Sequence, residues 1–156
     1  MSRMAGPSVL RLSSTLVLLA WLSCAHASLG DEAASIISDA AQLNGVVQPE
    51  AGSALNPVVI SVDNGISVHE YVDASGRVFA VAWSGPAVPD LRILLGTYYP
   101  AYTSGLASLV NPGRQRAVQV IAANLVVRTA GHLRAYSGLA YLKDRLPSST
   151  TLESLR

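Results

Sequence analysis

The chain has 156 residues, of which 50% are hydrophobic, 13% charged and 6% aromatic, with a formal net charge of +1. These proportions are typical of one folded domain and exclude a long disordered chain or a coiled coil. The sequence contains no run of Lys or Arg, so it lacks the concentrated basic surface that nucleic-acid binding requires.

Residues 1–27 have the three parts of a secretory signal peptide. Arg3 and Arg11 make the start basic, residues 12–24 are apolar, and small residues form an A-x-A cleavage site that ends at Ala27. The apolar stretch is shorter than the roughly 20 residues that span a bilayer. We therefore expect cleavage near Ala27, export to the periplasm or secretion, and no stable membrane span in the mature chain.

Cys24, the single cysteine of the sequence, lies inside this leader. Lipid attachment at Cys24 is the less favoured alternative, because Trp21 stands where such sites usually have Leu. The mature chain would carry no disulfide, no thiol nucleophile and no thiolate metal ligand.

After the leader we expect a single α+β domain over residues 28–147. Residues 36–43 place apolar side chains at helical spacing, and residues 46–57 look like an irregular connection. Extended structure is then predicted over residues 58–62, in the alternating run 66–73, and over residues 77–83, which are apolar on both faces.

A second helix follows, and it is the clearest signal in the chain. Pro89 suits a first helical turn, and leucines and tyrosines recur at spacings of three and four. Pro100 disfavours helix just before itself, so this helix should end or kink near Tyr99, and residues 103–115 should form a mobile loop.

Two further strands are predicted over residues 117–128 and 132–142, joined by a short loop at residues 129–131. Residues 148–156 are predicted to be a flexible tail. The order of elements predicts two helices packed on one face of an antiparallel sheet of about four strands.

Four blocks of this sequence resemble an uncharacterised secreted proteobacterial family, domain of unknown function 2844. The resemblance covers nearly the whole mature chain. It implies a Gram-negative exported protein, and it transfers no activity, substrate or catalytic residue. The blocks are ASLG at residues 27–30, FAVAWSGP at 79–86, PDLR at 89–92 and GHLRAYSG at 131–138.

The sequence offers no complete metal or catalytic site. His69 and Glu70 resemble the start of a zinc-protease helix motif, but Asp73 stands where the second histidine would be. These residues also lie on a predicted strand, where neighbours point to opposite faces. We therefore predict no metal, no other cofactor and no catalytic residue.

Two groups of residues are candidates for binding. His132, Arg134 and Tyr136 alternate along a predicted strand, so they would share one face, and the guanidinium would suit an anion or a carboxylate. The alternative is that this row is the solvent side of a strand. Trp83 and Arg92 would form the rim of a second recognition site, unless Trp83 packs under the second helix.

These observations favour a small, cofactor-free, exported binding or interaction module that meets an unknown protein or ligand of the cell envelope. One alternative is a small periplasmic hydrolase that uses His69 or His132 with a nearby acid. Another is an envelope assembly factor or chaperone-like protein with an uncovered strand edge.

Overall fold

The computed structural model describes residues 29–49, 55, 57–109 and 116–155, so the predicted leader and Cys24 lie outside the described residues. The α+β class is confirmed, but within the described residues the sheet has seven strands rather than about four. The helices are α1 (Ile36–Gln42), α2 (Leu91–Leu95) and α3 (Tyr99–Ala107). The strands are β1 (Gly45–Pro49), β2 (Val58–Val62), β3 (Ser67–Val72), β4 (Val78–Gly85), β5 (Ala117–Ala122), β6 (Leu125–His132) and β7 (Ala135–Leu142).

The sheet consists of two antiparallel meanders that meet in its middle. Its strand order is β1-β2-β3-β4-β7-β6-β5, and all neighbouring strands are antiparallel. Every pairing except β4 with β7 joins strands that follow each other along the chain. The β4–β7 pairing therefore holds the two halves of the sheet together.

The helices cover one side of the sheet, which we call the helical face. Ile36, Leu94 and Tyr102 come from the three helices and belong to one buried cluster with the sheet. Branched and aromatic side chains of the strands complete the cluster, as expected where a sheet is sealed from water. Among them are Ile60, Val68, Val81, Trp83, Val127 and Leu142.

The opposite side, which we call the helix-free face, is partly covered by the end of the chain. Leu155 is 3% exposed and packs in a second buried cluster with Tyr71 and Phe79, and Leu152 lies against the same cluster. The predicted flexible tail covers residues 148–156. Within it Leu155 is buried and Leu152 is half-buried, because the sheet presents an apolar patch on which they can pack.

A β-bulge in β4 forms part of that patch. Tyr71 pairs with Ala80 and Val72 pairs with Val78, so Phe79 is one extra residue in the strand. Both Phe79 and Ala80 belong to the cluster on the helix-free face. Such an extra residue shifts the alternation of faces along a strand.

The predicted strand boundaries after residue 116 are wrong, because the turns occur elsewhere. The single predicted strand 117–128 is two strands, joined by a turn in which Ala123 has a φ of 51°. Gly131 lies inside β6, and the turn into β7 falls at residues 133–134, where Arg134 has a φ of 65°. Positive φ is uncommon for such residues, so no local pattern indicated either turn.

The second helical segment is interrupted close to Tyr99, as predicted, but it continues as helix beyond Pro100, which differs from the prediction. It breaks at Gly96, which has a φ of 45°, and passes through a 3-10 turn before α3 begins at Tyr99. Pro100 lies in the first turn of α3, where its missing N–H group has no helical partner to lose. Residues 103–107, predicted as loop, are therefore helical.

The contact between Trp83 and Gly138 lies at the junction of the two meanders. The two residues are paired across β4 and β7. A Cβ atom on Gly138 would lie 2.1 Å from Cζ2 of Trp83, so the indole ring covers the glycine. A side chain at position 138 would force the ring or the strands apart.

We predict that Gly138→Ala lowers the free energy of unfolding by about 1–3 kcal/mol, the usual cost of overpacking a core. Ser137→Ala, at the neighbouring exposed position of the same strand, should change it by less than about 0.5 kcal/mol. Urea denaturation of both variants measures the difference. Equal stability of the two would contradict the packing described for Trp83.

Candidate functional site

The three residues of the predicted row do not share a face. His132 ends β6 on the helix-free face, Arg134 lies in the turn, and Tyr136 pairs with Gly131 on the helical face. The prediction of a shared face is wrong because it assumed a single strand, whereas a turn separates His132 from Tyr136.

Two of these residues meet at a different place. Arg134 and Tyr136 line a shallow hollow of about 410 Å³ together with Ser84, Gly85 and Pro86, which follow Trp83 in the chain. The structure thus brings Arg134 and Tyr136 close to the loop after Trp83, although we predicted that these residues belong to two separate binding sites.

Trp83 and Arg92 do not form the rim of one site. Trp83 is 2% exposed and packs in the buried cluster of the helical face. Arg92 lies in α2 with a largely exposed side chain, and its Nε atom is 3.5 Å from a carboxylate oxygen of Asp90. Asp90 also accepts a hydrogen bond of 2.9 Å from the Arg92 amide, so this pair caps the helix.

His69 contacts a serine on the helix-free face. Its Nε2 atom lies 3.1 Å from Oγ of Ser67, two positions back on β3. Glu70 points to the helical face, as the strand alternation predicted, and is buried there. Among the described residues, no group of three or more His, Cys, Asp and Glu side chains is arranged to hold a metal ion.

A groove of about 600 Å³ lies on the helix-free face. A row of short side chains crosses its floor, because Ser84 pairs with Ser137, Ser137 with Ala130, and Ala130 with Ala117. Small side chains on four adjacent strands keep the floor low. The volume falls in the range of about 300–1,000 Å³ that is usual for small-molecule sites.

A second row of residues in the groove has longer and more polar side chains. Ala82 pairs with Leu139, Leu139 with Arg128, and Arg128 with Gln119. Leu155, from the packed end of the chain, also lines the groove. The groove therefore combines an apolar lining with one guanidinium and one amide.

Sequence reasoning missed this groove, although part of its signal was present. Ser137 of β7, and Ala82 and Ser84 two positions apart on β4, are short residues of a kind that many strands carry. Only the pairing of β4, β7, β6 and β5 places these short side chains next to one another.

A pair of acidic side chains is buried on the helical face. Asp39 of α1 is 0% exposed and Glu70 of β3 is 1% exposed. No donor group of the described residues lies within hydrogen-bonding geometry of their four carboxyl oxygens. Two such charges side by side are strongly disfavoured, so the pair must hold a proton.

The pKa values of the two groups agree with a shared proton. The pKa of Asp39 is raised from 3.8 to about 9, first by burial and then by the charge and hydrogen bond of Glu70 and the charge of Asp31. Burial raises the pKa of Glu70 from 4.5 to about 7, against a hydrogen bond to Asp39 that lowers it. Asp39, which has the higher pKa of the two, holds a proton at neutral pH. Neither group is accessible to a ligand, so the pair acts on stability.

We predict that the protein loses stability as the pH rises. Because both pKa values are raised on folding, the folded state binds more protons than the unfolded state above pH values near 4. The stabilisation is complete below that pH and is lost as the pH rises through about 7 and about 9. Each excess proton corresponds to a slope of about 1.4 kcal/mol per pH unit.

Urea denaturation between pH 5 and pH 9 measures this slope, with Glu70→Gln as the test variant and Asp63→Asn, at an exposed turn, as its control. Glu70→Gln should show a shallower decline and should be more stable than the wild type at the alkaline end. A slope that is the same in wild type and Glu70→Gln would contradict the shared proton.

Comparison with known proteins gives a family and no function. A family model described as "Protein of unknown function (DUF2844)" matches residues 25–155. No curated protein and no solved structure matches the chain. The resemblance carried by the four sequence blocks is thus confirmed. On this match, which covers most of its length, the chain belongs to the DUF2844 family.

Proposed function

We propose that this protein is an exported binding module that holds a small apolar ligand in the groove of the helix-free face. The groove itself is the observation that carries the proposal. It is about 600 Å³ in volume, it lies across four strands of the sheet, and its lining is mainly apolar. Sites with these properties typically take small molecules, since a few polar groups suffice to orient the ligand.

The packed end of the chain supports this use of the groove. Leu155 belongs to the buried cluster that covers one part of the helix-free face, and it also lines the groove. The covered part is rich in large side chains such as Tyr71 and Phe79, whereas the groove floor carries Ala and Ser. A ligand would fill the space that the chain itself leaves on this face.

A hydrolase is the second candidate, and one contact favours it. Ser67 Oγ lies 3.1 Å from His69 Nε2, the distance that a nucleophile and its base require. Ser67 is paired with Ser84, which lines the groove, so the serine is close to the proposed ligand. Glu70 faces the other side of the sheet and does not orient this histidine.

We predict that N-phenyl-1-naphthylamine, a neutral apolar dye, gains fluorescence in the presence of the mature protein. Ala130→Trp, which fills the middle of the groove floor, should weaken binding at least about tenfold, because it removes the apolar space. Ala101→Trp, at an exposed position of α3, is the matched control and should bind like the wild type.

A dye that does not bind the wild type, or that binds Ala130→Trp and wild type equally, would contradict the proposed groove function. Ester turnover that Ser67→Ala abolishes would instead favour the hydrolase.

We also propose that the leader directs export to the periplasm or secretion and is cleaved near Ala27. Leu29 is fully buried, and its amide donates a hydrogen bond of 3.0 Å to the carbonyl of Leu94. Arg77 donates a hydrogen bond of 3.2 Å to the carbonyl of Gly30. Cleavage after Ala27 would leave these contacts intact. No helix of the described residues has the length and apolarity needed to cross a bilayer.

We predict that protein isolated from the periplasmic fraction or the culture medium begins at Ser28. Intact-mass analysis and N-terminal sequencing check this, and Ala27→Arg, which spoils the small-residue cleavage site, should accumulate as uncleaved precursor. Exported protein that retains Met1 would contradict cleavage, and a lipidated N-terminal Cys24 would support the alternative anchor.

A further inference from the structure

Of the described residues that line the groove, one has a charged side chain. Arg128 projects from the middle of β6, between Leu139 of β7 and Gln119 of β5. Among the described residues, no acidic side chain lines the groove. No ion pair or hydrogen bond is made by the Arg128 side chain within the described part of the chain. Arg128 is exposed, so its guanidinium is accessible to a ligand.

This arrangement differs from that of Arg145 and Arg77, two described arginines that lie near strand ends. Arg145 pairs with Asp73 at 3.4 Å, and Arg77 donates to the backbone of Gly30. Those two side chains have structural partners, whereas Arg128 stands beside an apolar lining. An arginine with five donors and no acceptor next to an apolar surface suits a ligand that is anionic at one end and apolar along its body.

We infer that the groove binds an amphiphilic carboxylate, with its carboxylate on Arg128 and its apolar body over the small side chains of the floor. The inference rests on the proposed groove function and adds the chemical class of the ligand. The floor row Ser84-Ser137-Ala130-Ala117 runs beside the row that contains Arg128. A chain lying along the floor therefore passes next to the guanidinium.

Geometry favours a carboxylate at this position. The planar guanidinium can donate two parallel hydrogen bonds to the two oxygens of a carboxylate. Gln119, paired with Arg128, offers an amide on the same row as a further donor. His132, four positions further along β6, lies on the same face and adds no negative charge. Specificity would then come from the head group, and affinity from the apolar body.

The test is displacement of N-phenyl-1-naphthylamine by two ligands of equal chain length, decanoate and 1-decanol, at neutral pH. For the wild type we expect decanoate to displace the dye at a concentration about tenfold or more below that of 1-decanol, because a charge-assisted hydrogen bond forms only with the acid. Arg128→Gln should abolish this preference while retaining dye binding. Arg128→Lys should keep part of it.

Lys143→Gln is the matched control, since it removes one positive charge at an exposed position after β7, outside the groove lining. It should preserve the preference for decanoate. Loss of the preference in both Arg128→Gln and Lys143→Gln would show a general charge effect and overturn the inference.

Failure of this inference is distinguishable from failure of the proposed function. Equal displacement by decanoate and 1-decanol, with dye binding that Ala130→Trp still weakens, would overturn the carboxylate and leave the groove as a binding site. Dye binding that Ala130→Trp does not weaken would overturn both.

Discussion

The pairing of β4 with β7 is the contact on which the rest of the structure depends. It joins two meanders that are otherwise formed by neighbours in sequence, and it brings together strands separated by about fifty residues. Trp83 over Gly138 lies at this junction. A large ring can lie flat against a paired strand only where that strand carries no side chain, so the glycine and the tryptophan require each other. Non-local pairing of this kind is costly in chain entropy and must be compensated by packing.

The same pairing creates the two unequal faces of the sheet. On one face the helices shield the branched side chains and Trp83 from water. On the other face the junction of the meanders brings together Ala and Ser from four strands, and the leucines near the end of the chain cover only the part with larger side chains. The groove is thus a direct result of where the small residues meet. Arg128 lies within it because β6 alternates between the two faces.

The acidic pair between α1 and β3 is the exception to an otherwise apolar helical face. Its burial stabilises the protonated form, so docking of α1 is strongest in acid and weakens as the pH rises. The groove and the acidic pair lie on opposite faces of the sheet. A substitution that tests one of them therefore leaves the other unchanged. Glu70 also shows why a motif of adjacent residues misleads on a strand. His69 and Glu70 are neighbours in sequence, yet they belong to different surfaces.

Local pattern in the sequence was sufficient for the α+β class, for the helix at residues 36–43, for the strand around residues 66–72 and for family membership. These depend on periodicity and on short sequence blocks, both of which are local. Tertiary structure decided the number of strands, the turns at Ala123 and Arg134, and the groove. Those turns adopt positive φ without glycine because strand pairing compensates the strain. The groove exists only after β4 has paired with β7, a contact that no local pattern specifies.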